Sequence, residues 1–191
     1  MKTLILVTST VLLSALHTTA QDNQYTANNG LVSFFCEGTI TDVDAKNKNV
    51  DVILNTKNRE LTFDMAMADF EFESRKMGRD AEKSWLETRK YPKASFKGKI
   101  SDDVDFDKAG SYAATAKGKL MIHGTEKDVT INGKVVVSKD QIKLTSDFNV
   151  VLEDYTIETP TILGKEMTDG YASIKVAVTL SSATKKISQR N

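Results

Sequence analysis

The side chains able to do chemistry in this chain are few and far apart: two histidines (His17 and His123), one cysteine (Cys36), and the aspartate run Asp102, Asp103, Asp105 and Asp107. A metal site needs several ligands at close spacing, and one thiol with one histidine beyond the N-terminal segment do not supply it. The aspartates resemble a calcium loop only superficially, because the run lacks the glycine at its sixth position and the glutamate at its twelfth. They read as a solvated acidic hairpin. Nucleophilic catalysis would bring Ser, His and a carboxylate together, but no G-x-S-x-G elbow is present, and His123, followed by Gly124 and Thr125, reads as a turn-shaping residue. Carboxylates are plentiful enough for a paired-carboxylate hydrolase, yet no positive feature singles out a pair. The ten glycines are dispersed, so no loop cradles a phosphate. Lys97-Gly98-Lys99 and Lys117-Gly118-Lys119 lack aromatic platforms and read as solvent-facing edge residues rather than nucleic-acid contacts.

The apolar pattern therefore carries the reading. Residues 1–20 open with Lys2, run apolar from Leu4 to Leu16 and end on Thr18-Thr19-Ala20, the plan of a cleavable secretory signal. The run is short for a membrane span, and no cysteine at the junction offers a lipoprotein anchor. The expected mature chain starts near Gln21 and is exported, to the periplasm or the medium. Residues 21–191 then form a single domain with enough chain for a sizeable core. Acidic and basic residues balance at 26 each, which leaves no long-range field for nucleic acid or an anionic membrane. Cys36 has no disulfide partner, and behind Phe34-Phe35 it reads as a buried, inert thiol.

Alternation of apolar and polar residues predicts strands over most of the rest. The expected strands are Leu31 to Glu37, Val50 to Leu54, Leu61 to Met67, Phe70 to Glu73, Ala94 to Ile100, Ser111 to Ile122, Asp128 to Val137, Gln141 to Leu152 and Tyr171 to Leu180. Asp42 to Asn49, rich in Asp, Asn and Lys, reads as a turn. A bulge or corner near Ala68-Asp69 accounts for a shift of apolar parity there. Between Lys76 and Arg89 the period changes: Met77, Ala81, Trp85 and Leu86 share one helical face, and Pro92 is the expected stop. Long antiparallel strands joined by short turns favour a barrel, with this one amphipathic helix laid over it as a lid. The loop from Glu158 to Asp169 carries Ile162-Leu163, which could fold back onto the mouth.

Two stretches carry a resemblance. Arg79-Asp80, Trp85-Leu86 and Lys90-Tyr91-Pro92-Lys93-Ala94-Ser95-Phe96 resemble the R-D…F-L…K-Y-P-x-A-x-F signature of the YceI-like family, polyisoprenoid-binding, lipocalin-like exported proteins. Gly118 to Val129 is similar to that family's G-x-L-x-I-x-G-x-T-K-x-V element, with Glu126 intruding before Lys127. The resemblance implies an all-β, extended antiparallel lipocalin-like barrel of about eight strands, non-catalytic, with an isoprenoid chain running through the interior.

A barrel of about eight strands is near the size that encloses one elongated ligand. The expected lining is Phe63, Met65 and Met67 on one strand, Phe70 and Phe72 on the next, Met77 and Trp85 on the lid, and Phe96, Phe148, Val150 and Leu152 opposite. Each of these serves equally well as plain core. The expected partner is an isoprenoid or other long-chain apolar lipid, with no nucleic acid, no metal and no cofactor; a homodimer is compatible with the chain and not specified by it. The competing readings are a stress-response or interaction module with a solid core and a protein-binding surface, and a carboxylate hydrolase.

Overall fold

The computed structural model describes residues 23–183 apart from positions 40, 102, 159–160, 163–164 and 167; the expected signal segment, Leu163 and the tail from 184 onward lie outside the described residues. The strands are β1 (Gln24–Cys36), β2 (Val43–Asn55), β3 (Glu60–Ala66), β4 (Glu71–Phe72), β5 (Lys93–Ile100), β6 (Gly110–Ile122), β7 (Thr125–Val137), β8 (Gln141–Val151), a short pair β9 (Thr161–Ile162) and β10 (Lys165–Glu166), and β11 (Tyr171–Ser182). One helix, α1 (Arg75–Ser84), lies between β4 and β5. The order β1-β11-β8-β7-β6-β5-β3-β2, closed by pairing of β1 with β2, makes an eight-stranded antiparallel barrel, and β4 is an extra strand on β2. The expected architecture is the observed one.

Its seams differ from expectation in instructive ways. Of residues 42–49, expected as a turn, all but Asp42 belong to the first half of β2, and Val43, Ala45 and Asn47 are fully buried. The amide of Asn47 replaces an apolar side chain in this inward row. Its Nδ2 donates to the Ala66 carbonyl at 2.9 Å, while its Oδ1 accepts from the Asn49 N–H at 2.9 Å. Val32 faces Asn47 whereas Gly30 faces Val50, so β2 carries one extra residue and bends there. Ala66 is also where β3 ends in a single 3₁₀ turn, Met67–Asp69, the corner that the parity shift called for. One buried side chain thus ties the two bends together. β1 begins at Gln24 rather than Leu31, and its polar first half pairs with both β2 and β11 to shut the barrel.

The helix stops sooner than its apolar period suggests. Ser74 caps it, Oγ accepting from the Met77 N–H at 3.4 Å, and Gly78 and Ala81 form its buried face. After Ser84 the chain wraps back: the Leu86 N–H reaches the Ala81 carbonyl, the Thr88 N–H reaches that of Glu82, and Glu87 takes a left-handed φ of 40°. Pro92 lies beyond this ending, so the stop is set by the wrapped cap that buries Leu86, not by proline.

The two Lys-Gly-Lys segments are also not edge residues. Lys97, Gly98 and Lys99 on β5 face Lys119, Gly118 and Lys117 on β6, mid-wall in the barrel. Their lysines point to solvent, and Lys119 is neutralised by Glu126 at 2.7 Å. Their glycines face inward as a pair. A Cβ on Gly118 would sit 2.2 Å from the Lys97 carbonyl oxygen, so the close approach of β5 and β6 admits no side chain there.

One end of the barrel is solid. Leu54, Ile142, Leu180, Val50 and Val52 are fully buried, and Val104 from the β5–β6 connection joins them. The Arg59 guanidinium donates to the Ser101 carbonyl at 2.8 Å and lies 5.5 Å from the Phe106 ring centroid. This packed floor closes one end of the barrel, and the interior opens above it, toward Trp85 and Leu86 at the C-terminal end of α1.

Candidate functional site: an apolar cavity under the helix

Above the floor the interior opens. A cavity of about 190 Å³ runs from Ile100 and Leu144 up to Trp85, Leu86 and Ile157. A single water needs roughly 10–15 Å³ on such a measure, so the space is more than ten times that of one water. Its wall is apolar almost throughout. Among the described residues the lining holds one carboxylate, Glu158, so no pair of acids converges in it.

Nine of the expected residues stand in that wall: Phe63, Met65, Met67, Phe70, Trp85, Phe96, Phe148, Val150 and Leu152. Phe72 and Met77 do not. The Phe72 ring packs edge-on against Phe34, with centroids 5.8 Å apart, and is covered by Gly78 of the helix, while Met77 packs on the core beside them. The Phe72–Gly78 contact fastens the helix to β4 from outside the cavity. Phe34, whose ring is also 5.1 Å from that of Phe70, is the lining residue on the other side of this cluster.

The cavity owes its volume to small side chains in its wall. Ala114 and Ala116 on β6, Ala94 on β5 and Ala172 on β11 all line it, and Gly98 and Gly118 share the same inward rows. Small residues at successive inward positions of a strand are the signal that separates a hollow barrel from a filled one. The alternation Ala114, Ala116, Gly118 carries it in the sequence.

Cys36 also faces the cavity. Burial, helped by the nearby charge of Asp169, pushes its thiol up to about 11, so the group is a neutral apolar wall atom at physiological pH.

The cover is clasped to the barrel at the far side of the helix. His123 and Gly124 form the two-residue turn between β6 and β7 with φ of 51° and 74°, the left-handed pair such hairpins require. The Tyr91 ring lies 4.0 Å from that of His123, and the Lys90 ammonium lies 4.8 Å from the Tyr91 centroid. His123 Nε2 is 3.2 Å from a Glu87 carboxylate oxygen but off the hydrogen-bond direction. The Met67 N–H donates to the Pro92 carbonyl at 2.9 Å, stitching the loop to the corner after β3.

The two stretches that carry the family resemblance, Lys90-Tyr91-Pro92 and His123-Gly124-Thr125, are therefore in contact. Residues 14–184 match the profile of the YceI-like domain. The chain belongs to the YceI-like family. Solved structures share the fold at low identity. A polyisoprenoid binding domain from Saccharophagus degradans, implicated in plant cell wall breakdown, superposes with a TM-score of 0.69 at 12% identity, over 84% of this chain and 98% of that one. BcnA of Burkholderia cenocepacia follows with a TM-score of 0.64 at 16% identity, over 80% and 96% of the two chains. The Campylobacter jejuni YceI protein gives 0.51 at 15% identity, over 69% and 78%. None of the curated proteins matches.

Proposed function

We propose that this YceI-like protein is an exported, non-enzymatic carrier or sequestrant of an isoprenoid or similar long-chain apolar lipid, held in the barrel interior. The observation that carries this is the cavity itself: apolar, floored by packed side chains and roofed by the α1 segment. Burying hydrocarbon there gains about 0.8 kcal/mol per CH₂, so a few isoprene units offset the cost of association without a charged anchor. The polyisoprenoid binding domain with the same fold supports the ligand class. Phe63, Met65, Met67, Phe70, Trp85, Phe96, Phe148, Val150 and Leu152 are the proposed contacts, with Phe72 and Met77 holding the cover. An unfilled interior speaks for the container over the solid-core interaction module. The test is to purify the protein from its native host, extract it with organic solvent and identify what is released by mass spectrometry. A stoichiometric prenyl or acyl lipid is expected; protein that carries none and takes up none from added lipid would sink the proposal. N-terminal sequencing of the same material, expected to start near Gln21, tests export.

A further inference from the structure

The barrel wall is not sealed. β6 and β7 pair along all thirteen residues of each, and β8 and β11 pair over eleven rungs. Between β7 and β8 the ladder has only five rungs, from Val137↔Ile142 to Gly133↔Ser146. Yet β7 begins eight residues earlier, at Thr125, and β8 continues five residues further, to Val151. Over Thr125–Asn132 and Asp147–Val151 two strand edges face one another without pairing, where a closed barrel of this size would ordinarily pair them.

The last rung is built as a fork. A Cβ on Gly133 would lie 2.7 Å from the Thr145 carbonyl oxygen, so the strands come as close there as backbone allows before they part. The Ser146 hydroxyl then donates to the Asn132 carbonyl at 2.6 Å, capping the ladder with a side chain. Beyond the fork Ile131, Phe148 and Val150 turn inward onto the cavity wall. At the fork itself the lining changes to Asn132, Lys134, Thr145 and Ser146, the polar residues expected where an apolar hollow meets water. Among the described residues the outer end of the split is bridged only by side chains: Lys127 Nζ to Asp154 Oδ1 at 3.3 Å, and the Thr125 and Thr156 hydroxyls at 3.5 Å. The two ion-pair partners are about half exposed, so the bridge is weak and readily broken.

We infer that the split between β7 and β8 is a side window through which the lipid chain passes into and out of the cavity, with Lys127–Asp154 and Thr125–Thr156 as its latch. Widening this gap breaks two side-chain contacts and no ladder hydrogen bond. The route rests on the container reading above, and the experiment separates the two.

In a Cys36→Ala background, Thr125→Cys/Thr156→Cys places a disulfide across the outer end of the window. Phe72→Cys/Gly78→Cys pins α1 to β4 instead, at positions whose Cβ atoms would lie 3.5 Å apart, a spacing a disulfide accepts. Uptake of cis-parinaric acid is followed by stopped-flow fluorescence, oxidised and reduced. The expected result is uptake slowed about tenfold or more by the oxidised window pair with Kd little changed, restored by reductant, and no slowing by the helix pair. If the window disulfide does not form, Thr130→Cys carrying a bulky maleimide at the strand edge is expected to slow uptake in the same way. Slowing by the helix pair alone, or by neither block, overturns the window. Absence of binding in every form, reduced included, overturns the container reading and the window with it.

Discussion

At the scale of the residue, Cys36 gives the sharpest pH signature in the molecule. Folding places its thiol in the cavity wall and raises it from 9.0 to about 11, so the folded state favours the protonated form more than the unfolded state does. The stability this contributes is fully present below pH 9 and is lost as pH rises through about 11, to a total on the order of 2–3 kcal/mol. Urea denaturation of the protein and of Cys36→Ala at pH 8, 9.5 and 11 should show the native chain losing the extra stability and the variant not losing it. Carboxamidomethylation of the folded protein should be slow at pH 8 and keep accelerating past pH 10. The sequence marked this cysteine as buried and inert because it follows two phenylalanines. It did not mark Asn47. An asparagine between lysines reads as turn, and only its two hydrogen bonds to the bends of β2 and β3 make a buried amide tolerable there.

At the scale of the element, the cover is held by three attachments: the Phe72–Gly78 contact under α1, the clasp between the Tyr91 loop and the β6–β7 turn, and the hydrogen bond from the Met67 N–H to the Pro92 carbonyl. Gly124 is the hinge pin of the second, because it has a φ of 74° and a Cβ there would stand 2.7 Å from Tyr91 Cε1. Gly124→Ala should therefore cost about 1–3 kcal/mol through backbone strain and displacement of the ring. Hydrogen exchange should rise most in residues 85–92, while β2 and β11 keep their protection. Helix length shows why element boundaries were harder to read than element types. Met77, Ala81 and Trp85 keep a four-residue spacing through to the cap, so periodicity alone runs the helix on to Arg89. The ending at Ser84 comes from backbone turning back to bury Leu86, which depends on the barrel beneath it.

At the scale of the whole molecule, function depends on volume, and volume is a sum over many strands. Ala116 lines the cavity on β6 opposite Ile131, with open space before it. Ala116→Leu should fill part of that space, leave the melting temperature equal or slightly higher, and reduce binding of a long-chain fluorescent lipid by about tenfold or more. A variant that binds as well as the parent would place the ligand elsewhere. Periodicity of two, turn residues between runs and one helical interval favoured from the sequence alone an antiparallel barrel with a single covering helix, because inward and outward alternation is local to each strand; the count of about eight strands came with the family resemblance. The motifs at Lys90-Tyr91-Pro92 and His123-Gly124-Thr125 determined the family. Only the tertiary structure decided that the barrel is hollow above a packed floor, that Phe72 and Met77 stand outside the hollow, and that β7 and β8 part at Gly133. Those features come from how rows of alanine and glycine on different strands face one another across the interior and from where two ladders stop; the run Ala114, Ala116, Gly118 is the part of that relation legible in a single strand.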